Sequence, residues 1–156
     1  MSFLTRILPS FLVSWLLTFT LASLFHSQYV VNQLVNVGVV VGFNDRVNLT
    51  LEDWLGLLPT YGAIIAIALA IAFLVTWLIA KKVKKQGAQL FVIAGIVAFA
   101  SALIAIESIM NITIIAGARG WGFYMQLLAG AVGGYVFAKL SNGCHSKMKS
   151  SSFTQR

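Results

Sequence analysis

Few side chains in this chain could do chemistry: its 156 residues hold four acids, two histidines and one cysteine. Glu107 is the first candidate, because it lies in an otherwise apolar run, Ala88 to Met110. A carboxylate inside a membrane span costs a few kcal/mol on insertion scales and by default marks a functional site. Asn111 follows one helical turn later and shares the face of Glu107 if the helix extends that far. Arg119, in the glycine-bounded connection Gly117-Ala118-Arg119-Gly120, is the natural partner of Glu107, and Gln126 lies early in the next apolar run. Glu107, Asn111, Arg119 and Gln126 therefore form a candidate polar cluster. It reads either as an ion pair fastening two helices or as a substrate or proton site.

The remaining reactive groups are less promising. Cys144-His145 sits in a polar Ser/Lys tail with no acid nearby to orient the imidazole, which argues against a nucleophile or a metal ligand pair. A lone cysteine also excludes a self-contained disulfide shuttle, although acylation of Cys144 beside the membrane is a minor alternative. His26, at the end of the first apolar run, reads as an interfacial residue. The expectation is no catalytic set, no cofactor and no metal site.

Composition decides what must position these groups. With 59% hydrophobic and only 10% charged residues, the chain has too much apolar surface for a water-soluble globule. Apolar runs cover residues 7–25, 59–80, 88–110 and 121–140, each close to the roughly 20 residues a helix needs to cross the hydrocarbon core. The predicted fold class is an all-α integral membrane protein, a four-transmembrane-helix bundle forming one domain over 1–140. Residues 141–156 read as a flexible cytoplasmic tail. A cleaved signal peptide is the competing reading of the first run, with Thr20-Leu21-Ala22 as a weak cleavage site. The run exceeds the usual roughly 7 to 15 apolar residues of such a peptide, so an uncleaved helix is preferred.

Charge sets the orientation. Arg6, the Lys81–Lys85 cluster, Lys139, Lys147, Lys149 and Arg156 all fall on one side, leaving only Arg46 and Arg119 among the cations on the other. Asp45, Glu52, Asp53 and Glu107 lie on that opposite side, so both termini are expected in the cytoplasm. The net charge of +7 then needs no nucleic acid, because basic edges beside anionic lipid account for it. The compact basic edges and short loops suggest a bacterial inner membrane, where the sequons at Asn48 and Asn111 would carry no meaning.

Residues 26–58 form the one sizeable connection. Val30, Leu34 and Val37 keep helical spacing, so the first helix continues outward or turns along the interface, with a short strand through Val37 to Val41 as the alternative. Thr50-Leu51-Glu52-Asp53 has capping-box spacing and predicts a short helix from Leu51 to Leu57, with Pro59 opening the second span. The whole segment reads as a short amphipathic cap over the outer end of the bundle.

In lipid, helices are held by small residues and interhelical hydrogen bonds. Gly130 and Gly134 form a GxxxG pair in line with Gln126 and Ala138, with Gly133 adjacent. Gly62, Ala66 and Ala70 align in the second run, Ala94, Ala98 and Ala102 in the third, and Ser10, Ser14, Thr18 and Ala22 in the first. Four short helices with a single intramembrane glutamate resemble small multidrug-resistance exporters in outline. Their coupling carboxylate lies in the first helix, where this chain has none, and the long connection after it also departs, so no residue role carries over. The expected function is a non-enzymatic accessory or scaffold subunit, whose partners are the lipid bilayer and a second copy or another membrane subunit. The alternative is a small oligomeric transporter or channel using the Glu107 cluster.

Overall fold

In the computed structural model, residues 4–83, 88–110 and 120–151 are described. They form α1 (Leu4–Asn36), α2 (Phe43–Leu57), a π-helical turn (Leu58–Gly62), α3 (Ala63–Val83), α4 (Ala88–Met110) and α5 (Trp121–Ser151). No strand occurs among the described residues. Three stretches are long and apolar enough to cross a membrane: Ile7–Asn36, Phe43–Lys82 and Ala88–Ser108. α5 is less apolar, since it carries Gln126 and the glycines 130, 133 and 134 on its buried side. It can do so because α4 and α1 cover it more closely than any other pair of helices in the bundle meets.

Side-chain size sets each helix spacing. α4 and α5 approach through glycine: a methyl group at Gly95 would run into the backbone of Gly130, and one at Gly134 into the carbonyl of Phe91. α1 and α5 meet through Ser14, Thr18 and Ala22, all fully buried. α1 and α3 barely touch through their backbones, and aromatic rings bridge the gap. Phe11, Phe73, Phe91 and Phe137 come one from each of α1, α3, α4 and α5. Phe73 stacks on Phe137 at 4.4 Å and meets Phe91 edge-on at 6.0 Å and Phe11 edge-on at 6.4 Å. Such ring pairs add stability beyond their buried area.

Between α1 and α3 the helix bounds differ from those expected. α1 runs 33 residues, about 50 Å at 1.5 Å per residue, well beyond the ~30 Å hydrocarbon core. α2 begins at Phe43 instead of Leu51, and the stretch through Val37 to Val41 is a turn and extended connection with no strand pairing. Its start is held by Asp45, whose carboxylate accepts from the Gly42 N–H at 3.2 Å. The capping-box reading at Thr50 fails for the same reason: Thr50 is inside the helix, donating back to the Arg46 carbonyl. α2 packs mainly on α1 and leads through the π turn into α3 without a break. Pro59 does not start a helix but sits in the π turn. A proline has no N–H and its ring clashes with the carbonyl four residues back, and one widened turn absorbs both defects. At the other end, α5 continues to Ser151, past Leu140 where the tail was expected to begin.

Candidate functional site

Gln126, on α5, is the centre of the polar interior. It is fully buried, its amide N–H donates to the Ala22 carbonyl of α1 at 3.0 Å, and its Oε1 accepts from the Tyr61 hydroxyl at 3.0 Å. Tyr61 belongs to the π turn, so one side chain ties α5, α1 and the α2/α3 junction together. The Ala22 carbonyl can accept a second bond because its oxygen has two lone pairs. Trp15 makes a parallel link, its indole N–H donating to the Gly62 carbonyl at 2.8 Å.

In the N-terminal half of α1, Ser14 donates to the Gly133 carbonyl at 2.7 Å, and Thr18 donates back to the Ser14 carbonyl at 2.6 Å. A glycine is needed at 133 because Thr18 fills the space a methyl group would take. In the C-terminal half of α1, Ser23, His26 and Ser27 are buried. The Ser27 hydroxyl lies 2.7 Å from a carboxylate oxygen of Asp53 and 3.1 Å from the Ser23 carbonyl. It has a single proton, and the shorter, charge-assisted bond to Asp53 is the stronger use of it. Trp54 donates to the Thr20 hydroxyl at 3.3 Å and packs its ring 5.6 Å from Phe19. Ser23 Oγ is the buried side-chain polar atom that lacks a partner among the described residues.

Asp53→Ala should loosen this clasp between α1 and α2. The lost charge-assisted bond is worth about 1.5 kcal/mol, and the expected result is faster amide exchange over Phe43–Leu57 while α4 and α5 keep their protection. Uniform protection across all helices would contradict the assignment.

Glu107 is exposed near the end of α4, Asn111 and Arg119 lie outside the described residues, and the Gln126 amide is spent on Ala22 and Tyr61. Of the packing glycines, Gly130, Gly133 and Gly134 are at close helix contacts. Gly62 differs in kind: an added methyl there would meet Phe19 at 3.5 Å, an ordinary contact. Gly95, the partner of Gly130, was hidden in the sequence because the alanine row at 94, 98 and 102 drew attention to the adjacent face. Tyr61, Ser27 and Asp53 were also missed. Their partners lie 65 and 26 residues away in the chain, beyond any local pattern.

Cys144 and His145 fall in the last part of α5, and among the described residues no group of three His, Cys, Asp or Glu could hold a metal ion. The polar contacts of Gln126, Tyr61, Trp15 and Ser14 bind helix to helix. Comparison with family models, curated proteins and solved structures finds no match to this chain.

Proposed function

We propose that this chain is a four-span protein of the bacterial inner membrane, with both termini cytoplasmic and α1 retained as a span, that serves as a non-enzymatic accessory or scaffold subunit. The observation that carries this reading is the state of Gln126. A binding or transport residue needs access to water or substrate, and Gln126 is 0% exposed with both ends of its amide engaged inside the bundle. Aromatic side chains support the span boundaries. Tyr29 and Trp121 pair at 5.3 Å at the acidic end, while Lys81 lies over Trp77 and Lys139 over Tyr135 at the basic end. Such aromatic belts and basic cytoplasmic edges are the usual markers of the two interfaces. α5 is the fourth span in this arrangement, its polar groups shielded by α1 and α4.

The test is purification of the protein from its native membrane in mild detergent, with the intact mass and every retained subunit determined. A foreign subunit at fixed stoichiometry is the expected result. A pure homo-oligomer would overturn the accessory reading and direct attention to flux assays with Glu107→Gln. An impermeant maleimide should label Cys144 in inverted vesicles and not in intact cells, and the reverse pattern would refute the topology.

A further inference from the structure

A groove of about 810 Å³ lies between α3 and α4, within the ~300–1,000 Å³ of ordinary ligand sites. Its walls are almost wholly apolar, with alanines such as Ala68, Ala72 and Ala94 between branched rims such as Ile71 and Val97. It follows both helices lengthwise, from Ile64 to Ile79 on α3 and from Leu90 to Ile106 on α4. Fifteen helical steps correspond to about 22 Å, most of one membrane thickness. The two ends differ in charge. Three residues beyond Ile79, on the same helical face, stands the exposed Lys82, beside Lys81 whose ammonium lies 5.4 Å from the Trp77 ring centre. At the opposite end, next to Ile106, stands the exposed carboxylate-bearing Glu107.

We propose that this groove binds an anionic phospholipid of the cytoplasmic leaflet, one acyl chain lying in the groove and the phosphate held at Lys82. The inference rests on the membrane placement given above. The hydrocarbon walls account for the chain, since small side chains between branched rims leave a furrow into which a slender aliphatic chain fits. The charge asymmetry accounts for the polarity. A phosphate is attracted to the lysine end, where basic residues beside a cytoplasmic interface recruit acidic headgroups, and is repelled at the Glu107 end. The lipid would wedge α3 against α4 at the corner of the bundle that has no glycine contact of its own.

The test uses the full chain in nanodiscs of equimolar phosphatidylglycerol and phosphatidylcholine, released into detergent and weighed intact by native mass spectrometry. Wild type should retain one phospholipid, with phosphatidylglycerol preferred. Lys82→Gln should lower that preference about fivefold, the equivalent of the roughly 1 kcal/mol one lysine contributes near an anionic surface, while total retained lipid stays the same. Ser101→Phe, which fills the groove from an exposed lining position, should remove the retained lipid of both kinds. Ala105→Leu makes the same test at a second exposed lining position, in case the phenylalanine variant does not fold. Retention of the two lipids in proportion to the mixture, unchanged retention in a folded groove-filled variant, or a homodimer that buries the groove would each overturn the proposal. Labelling of Cys144 in inverted vesicles but not in intact cells, the topology test given above, separates these outcomes from a failure of the membrane placement.

Discussion

Gly134→Ala should destabilise the protein by about 2 kcal/mol or more, although helix propensity alone favours alanine over glycine by about 1 kcal/mol. The two effects have opposite signs, and the packing decides. A methyl group on Gly134 would meet the Phe91 carbonyl and the Val92 Cα, which are backbone atoms and cannot rotate away. α4 and α5 would have to separate, and the contacts of Gly95 with Gly130 would be lost with them. Gly95→Ala should act in the same direction, and the double variant should cost less than the sum, because helices already parted no longer resist the second methyl group. Gly133→Ala should cost less than Gly134→Ala, since its obstacle is the Thr18 side chain, which can change rotamer. Gly56→Ala is the control: nothing lies within 4 Å of an added methyl group, so propensity should prevail and the protein should gain slightly. Unfolding in mixed micelles with rising SDS, followed by tryptophan fluorescence, measures the four single variants and the double. A gain in stability for Gly134→Ala equal to that of Gly56→Ala would show that α4 and α5 do not approach through these glycines.

This contact also shows how far the sequence could be read. Gly130 and Gly134 announce a close approach, because two glycines four apart on an apolar helix leave a flat face. What they do not announce is the helix they meet. That choice depends on the matching gap at Gly95, a lone glycine in a helix whose alanines are more numerous. The apolar helices were legible for a related reason: length and hydropathy are properties of a segment by itself, and α4 falls on the residues expected, Ala88 to Met110. The outer segment was not. A capping pattern at Thr50 competes with one at Gly42, and a proline reads as a boundary unless a π turn accommodates it. Both outcomes depend on α2 finding α1, through Asp53 on Ser27 and Trp54 on Phe19, contacts that no local spacing encodes.

Gln126→Leu should cost about 1.5 kcal/mol, and the loss should be partly relieved when Tyr61→Phe is made with it. Leucine matches the volume of glutamine but leaves the Tyr61 hydroxyl, on a residue only 3% exposed, with no acceptor. An unmet buried hydroxyl carries a desolvation penalty of ~1–3 kcal/mol, and phenylalanine removes it. The coupling in a double-mutant cycle should be near 0.6 kcal/mol, the average for interhelical hydrogen bonds measured in a bilayer protein, and below the ~1.7 kcal/mol seen at most. The bond to the Ala22 carbonyl is lost in either background and cancels in the cycle, so the coupling reports Tyr61 alone. Strictly additive losses would mean that the two side chains do not meet in the folded protein. A coupling of the expected size would place Gln126 among the groups that hold α5 to the π turn, and a transporter reading would then have to find its polar site elsewhere. Glu107 is the test of that remainder: it is exposed and outside this network, so Glu107→Gln should leave the cycle unchanged.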